Sequence, residues 1–200
     1  MPRPAALQRL VDTALPAMRA RAPEPAAAIS LDRIEQALAQ AVEGGAAPAE
    51  LPVCSWLEPA LNQPTGAADL DALFDALREL APLMCWRPSG REGDTTPEFD
   101  DNHANAMLIG PGGIEHRGDV WIGLSLLAPA TRYPDHQHKP EETYLVLSPG
   151  QFRNHSGPDW FTPGMGGSFY NPPNVVHAMK SADDAPLLAL WALYPEREAA

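Results

Sequence analysis

Tyr133-Pro-Asp-His136-Gln-His138-Lys-Pro-Glu-Glu142-Thr-Tyr144-Leu-Val-Leu-Ser-Pro-Gly150 is the stretch on which the reading of this chain turns. His136 and His138 stand two residues apart, so on an extended backbone both imidazoles point to one side. Glu142 and Tyr144 share that parity if the Lys139-Pro140 turn keeps the register. One sheet face then carries two imidazoles, a carboxylate and a phenol, and donors of these types suit one divalent transition metal ion: Fe, Zn, Mn, Co or Ni. Glu141, of opposite parity, is expected to face solvent.

A fourth ligand has to come from another strand, and His177 offers it. It follows the turn-forming Pro172-Pro173-Asn174 and sits among Val175, Val176, Ala178 and Met179. Alone, a histidine in such a setting is more often a hydrogen-bonded core residue; beside the first stretch, ligation is the better reading.

Working outward, composition changes near residue 95. All six His, eleven of the fourteen aromatics and ten of the fifteen Gly lie beyond it, whereas the first half is rich in Ala and Leu. Residues 96–200 are therefore expected to form a β domain that holds the metal. Its strands are sought in short apolar runs punctuated by Gly and Pro: Ala106–Ile109, Val120–Leu127, Thr143–Leu147, Val175–Met179 and Leu187–Leu193. Residues 1–95 are expected to form a helical region packing on that domain. Leu31, Ile34, Leu38 and Val42 recur at helical spacing behind Ser30 as an N-cap, with Gly44-Gly45 as a stop. Leu70 to Leu80 predict a second helix, capped by Thr65 and ended before Pro82. Leu7 to Met18 predict a third, broken or kinked near Pro16.

Length and charge narrow the function classes. Two hundred residues with 44 % apolar and 20 % charged side chains can bury a core and carry a single active centre. With 14 Lys+Arg against 26 Asp+Glu the net charge is -12, which would repel a phosphate backbone or an anionic membrane, so nucleic acid and membrane are not expected as partners. Charges and prolines interrupt Met1 to Arg21, where a signal peptide needs an apolar core of roughly 7 to 15 residues. A cytoplasmic protein is expected, with Cys54 and Cys85 reduced. Oligomeric state is not legible.

The two histidine stretches resemble the two motifs of the cupin superfamily, small jelly-roll barrels that bind metals. The first motif is matched by His136, His138, Glu142 and the trailing Gly150, without its leading Gly. The second is matched by Gly166, Pro172 and His177, with Asn174 in place of an inner Gly and Ser181 in place of the last Asn. Asn also tolerates positive φ, so the turn can survive. Among cupins, the chain is similar to the bacterial dimethylsulfoniopropionate (DMSP) lyase group of the DddQ type. That resemblance rests on Tyr133, His136, His138, Glu142 and Tyr144, and on the text around Phe169-Tyr-Asn-Pro-Pro, His177-Ala-Met and Leu187-Leu-Ala-Leu-Trp191.

The resemblance implies a mainly β cupin jelly-roll barrel with an N-terminal α-helical region. It also implies a carbon-sulfur lyase that cleaves a small sulfonium carboxylate to dimethyl sulfide and acrylate. His136, His138, Glu142 and His177 would hold the metal. Tyr144, two residues from a ligand, is the first candidate for the base and Tyr133 the second. Tyr133, Trp191 and Tyr170 are candidates for binding the cationic end, because aromatic faces attract such cations without neutralising them. The same ligands also permit another metallo-cupin enzyme, an isomerase or dioxygenase, or a non-catalytic small-molecule-binding cupin. His103, His116 and His155 sit among Asn, Gly and charged residues and are expected on loop surfaces. Gly110-Pro-Gly-Gly113 reads as a turn, lacking the Lys of a phosphate loop.

Overall fold

The computed structural model describes residues 2–42, 44–89, 97–154 and 159–195. Helices come first: α1 (Ala5–Ala20), α2 (Pro25–Leu38), α3 (Leu57–Leu61), α4 (Ala68–Leu80) and α5 (Pro97–Asn102). Nine strands accompany them: β1 (Trp86–Arg87), β2 (His103–Ile109), β3 (Trp121–Leu127), β4 (Arg132–His136), β5 (Glu141–Val146), β6 (Gly150–Asn154), β7 (Ser168–Asn171), β8 (His177–Ser181) and β9 (Leu187–Tyr194). One sheet has the order β1-β2-β3-β9-β5-β7 and the other β4-β8-β6, with antiparallel pairing throughout. This is the mainly β jelly-roll arrangement with N-terminal helices expected from the sequence, built as two sheets that are not hydrogen-bonded into one closed barrel among the described residues.

Period-two alternation explains why the larger sheet is apolar on both faces. Ala104, Ala106 and Leu108 of β2, Ile122, Leu124 and Leu126 of β3 and Leu188, Leu190 and Ala192 of β9 join the core formed with α1, α2 and α4. The alternate residues Leu127, Tyr144, Val146, Phe169, Leu187, Ala189 and Trp191 meet Tyr133, Phe152 and Met179 of the small sheet. A strand covered on both sides reads as a continuous apolar run, which is what Leu187–Leu193 is.

The helices differ from expectation at their ends. α2 starts at Pro25, because proline suits the first helical position and Ala26, Ala27 and Ala28 propagate the turn. Ser30 is thus a fully buried mid-helix residue and not an N-cap, and the helix ends at Leu38, leaving Val42 44 % exposed. α4 begins after Ala67, whose amide is bonded to Thr65 Oγ1 at 3.2 Å, so Thr65 shapes the preceding turn. α1 continues through Pro16 as one helix.

Two arginines fasten this helical layer to the β2–β3 connection of the larger sheet. Buried Glu115, in the β2–β3 connection, accepts from Arg3 Nε at 2.6 Å and Arg117 Nη1 at 2.8 Å. The same guanidiniums donate to the carbonyls of Ala37, Leu38 and Gln40 at the end of α2, at 2.7, 3.0 and 2.9 Å. Carbonyls left without intrahelical partners and the negative end of the helix dipole are satisfied together. Despite burial, which raises it, the Glu115 carboxyl is held below its ordinary pKa by Arg3 and Arg117.

Candidate metal and active site

The inner face of the larger sheet and the edge of the smaller one bring the two histidine stretches together. Within β5 the residues facing inward are Glu142, paired with Asn171, and Tyr144, paired with Phe169. His136 ends β4 opposite His177, which opens β8. His138 lies in the loop between β4 and β5. The backbone N–H of Asn174 donates to its carbonyl at 2.9 Å. Asn174 itself has φ +60°, the left-handed conformation expected of it.

Donor atoms of His138, Glu142 and His177 lie within 4.8 Å of one another. Glu142 Oε2 is 3.2 Å from His138 Nε2 and 3.3 Å from His177 Nε2. The His136 ring stands beside them, 4.0 Å from the His177 ring and 6.4 Å from that of His138 between centroids. Three of the four sequence-derived ligands therefore form the tight cluster, and the fourth flanks it.

Each imidazole is oriented by its own backbone. Nδ1 of His136, His138 and His177 meets the carbonyl of Pro134, Pro140 and Val175 at 2.9, 2.8 and 3.0 Å. A carbonyl only accepts, so Nδ1 carries the proton and Nε2 presents a lone pair, the arrangement a metal-ligating histidine requires. His177 Nε2 is buried and makes no hydrogen bond, even at its short distance from Glu142. A buried, orphaned lone pair beside a carboxylate and a second imidazole fits a divalent transition metal.

The carboxylate is stabilised as an anion. Burial opposes ionisation of Glu142, but positive charge on His138 and His177 outweighs it and holds the carboxyl far below the ordinary range; with both rings neutral and their Nε2 lone pairs turned to the carboxylate, a bound cation would have to supply that charge. Asn171, wholly buried, donates to Glu142 Oε2 at 3.2 Å and in turn accepts from Asn154 at 3.3 Å. Burial lowers the pKa of His138, yet Glu142 more than compensates, and the net direction is upward. Tyr144 moves upward strongly, through burial first and then the neighbouring Glu142 and Tyr133.

A cavity of about 280 Å³ opens beside the cluster. His136, His138, Glu142, Tyr133 and Tyr144 supply polar lining; Met107, Trp121, Trp191 and Leu193 supply apolar and aromatic lining, and Asn105 and Ser125 also reach the cavity surface. Tyr170 takes no part. It pairs with Thr143, on the opposite face from Glu142, and its hydroxyl donates to Glu141 beneath α2. Glu141 likewise faces that helical layer, 15 % exposed, with Arg33 3.9 Å away, and does not face solvent.

His103 also departs from expectation. It is fully buried on the inner face of β2, stacked on Phe99 at 4.8 Å and edge-on to Tyr133 at 4.5 Å. Burial pushes its pKa down to about 3. His116 is exposed, as expected, and accepts from the Gly112 amide at 2.8 Å in the expected turn, and His155 lies outside the described residues. Cys54 and Cys85 are free thiols, and no described helix is long and apolar enough to cross a membrane. Asn105, Ser125 and Asn171 were not legible as site residues. Their only signal is a lone polar side chain at inward parity within an apolar or aromatic strand.

Residues 26–189 match the dimethylsulfoniopropionate lyase family. A curated relative from Cereibacter sphaeroides, provisionally named dimethylsulfoniopropionate lyase DddL, is 26 % identical over 166 residues, covering 80 % of this chain and 68 % of its own. The fold is similar to the crystal structure of the DMSP lyase DddQ from Ruegeria pomeroyi DSS-3, with TM-score 0.74, 24 % identity and coverage of 99 % and 95 % of the two chains. A chain from the crystal structures of the DMSP lyases RdDddP and RnDddQII gives TM-score 0.72, 24 % identity and 98 % coverage of both.

Proposed function

This chain belongs to the dimethylsulfoniopropionate lyase family, and on that premise we propose that it cleaves dimethylsulfoniopropionate to dimethyl sulfide and acrylate by β-elimination, with Tyr144 as the base. The observation that carries the reading is a buried phenol next to the His138, Glu142 and His177 cluster, in a small cavity with aromatic lining.

The difficulty of the reaction lies at the acid end. A proton α to a carboxylate must leave, whereas the sulfonium on the β carbon is already a good leaving group. A divalent metal held by His138, Glu142 and His177, with His136 beside them as the fourth donor, would supply Lewis-acid stabilisation of charge developing on the substrate carboxylate. Tyr144 Oη takes the α proton; the C–H electron pair becomes the Cα=Cβ π bond, the Cβ–S bond breaks, and its electrons leave on sulfur as neutral dimethyl sulfide. Burial makes the Tyr144 anion costly to form but a strong proton acceptor once formed. Positive charge next to the ring is thus a requirement of the mechanism.

Tyr133 stands 4.2 Å from the His136 ring and serves as an orienting donor. Trp191 faces the methyl-bearing sulfonium; aromatic faces attract such a cation by about 0.5–2 kcal/mol each without pairing with it.

Headspace assay of purified protein loaded in turn with Fe, Zn, Mn, Co and Ni tests the reading. Dimethyl sulfide and acrylate should form in equal amounts with at least one metal. Stoichiometric metal without product in every case would remove the lyase assignment.

A further inference from the structure

The wall of the cavity is held by a hydrogen-bond chain that crosses three adjacent strands. Trp191 Nε1 on β9 donates to Ser125 Oγ on β3 at 3.1 Å, and Ser125 Oγ donates to Asn105 Oδ1 on β2 at 2.6 Å. Asn105 pairs directly with Ser125, while Trp191 pairs with Tyr144 on one side and with Gly123 on the other. All of them therefore share the inward face. At Gly123 a Cβ would lie 2.3 Å from Trp191 Cζ2 and Cη2, so the indole rests on bare backbone there. The ring is fixed at its nitrogen by the chain and at its benzo edge by the glycine.

We propose that Ser125 and Asn105 are positioning residues that hold the Trp191 indole as a cation-selective wall, so that the cavity distinguishes an onium carboxylate from a neutral acid of the same shape. Two physical effects follow from the direction of the chain. An indole N–H that donates to an acceptor leaves the ring more electron-rich, and Ser125, donating onward to Asn105, is the better acceptor for it. A fixed ring also presents its face without first paying ordering entropy. Ser125 is nearly fully buried, so without its oxygen the Trp191 N–H has no solvent to turn to. The inference rests on the lyase reading for its ligand class, but not on turnover.

The test is calorimetric binding of two unreactive ligands to metal-loaded protein: 3-(trimethylammonio)propanoate and its carbon isostere 4,4-dimethylpentanoate. They share shape and carboxylate and differ in the onium charge. The natural chain should prefer the cation by about tenfold. Ser125→Ala and Asn105→Ala should lower that preference by about three- to fivefold, mainly by weakening the cation. Ser125→Thr and Asn105→Asp, which keep the donor and acceptor oxygens, should restore most of it. Equal loss of both ligands in Ser125→Ala, or an unchanged ratio, would overturn the proposal, since a merely structural role affects the pair alike. Intact discrimination in a protein that releases no dimethyl sulfide would sink the lyase reading alone, whereas turnover without discrimination would sink this inference alone.

Discussion

The amide of Asn174 donates to the carbonyl of His138 at 2.9 Å, so the turn leading into the strand of one histidine is tied to the loop that carries another. His138 and Asn174 are 36 residues apart in the chain, and this bond is one reason the side chains of the two motifs meet. Asn174 can make it because its φ of +60° turns the chain out of Pro173 and towards β8. Few side chains other than asparagine accept that conformation cheaply.

Asn174→Gly is accordingly expected to keep stability within about 0.5 kcal/mol and to keep full metal content. Asn174→Val should cost about 1–2 kcal/mol, because a β-branched residue is strained there, and should weaken metal binding. Thermal unfolding combined with metal analysis of both variants checks this. Equal behaviour of the two would mean that the turn does not position His138.

His177→Ala is expected to release the metal on dialysis, losing more than the roughly 10- to 100-fold in affinity that removal of an outer hydrogen-bond partner costs. The orphaned Nε2 of His177 is the physical motive. Elemental analysis reads the result, and one retained equivalent would remove His177 from the ligand set.

His103 should make stability depend on pH. Its folded pKa of about 3 lies below the ordinary 6.5, so between those values the unfolded chain binds a proton that the folded chain refuses. The stabilisation is complete above pH 6.5 and declines as the pH falls towards 3. Urea unfolding of metal-free protein at pH 7 and 4.5 should show a loss of roughly 2–3 kcal/mol that His103→Phe does not share. Parallel losses in both proteins would show that His103 is not the group responsible.

Ala130 occupies φ +57° without being a glycine. Its amide is bonded to the Ala182 carbonyl at 2.7 Å, which holds the chain in that conformation. Ala130→Gly should raise stability by about 0.5–1 kcal/mol, relief of the left-handed strain exceeding the added flexibility of the unfolded chain. A lower melting temperature would contradict this.

Much of the site was legible because two-residue periodicity is a local property. Spacing alone puts Glu142 and Tyr144 on one face, but that face does not carry the imidazoles: His136 ends β4 of the other sheet, His138 lies in the loop after it, and β8 begins only at His177, after Val175 and Val176. What failed depended on long-range pairing. Phe169 and Tyr170 are both aromatic on a four-residue strand, and only the register with Tyr144 and Thr143 decides which one faces inward. His103 follows Asp100, Asp101 and Asn102, which suggested a surface loop, but β2 starts at His103 and its first residue packs on Phe99 and Tyr133. Parity puts Glu141 on the face opposite Glu142, but nothing in the strand itself reveals that α2 covers that face.

The most direct measurement compares dimethyl sulfide release by metal-loaded natural protein, Tyr144→Phe and Tyr133→Phe, with metal content determined on the same samples. Tyr144→Phe is expected to keep its metal and lose at least about 10³-fold in turnover, the scale of a lost general base, with Tyr133→Phe impaired less. Normal turnover by metal-replete Tyr144→Phe would contradict the assignment of Tyr144 as the residue that removes the proton.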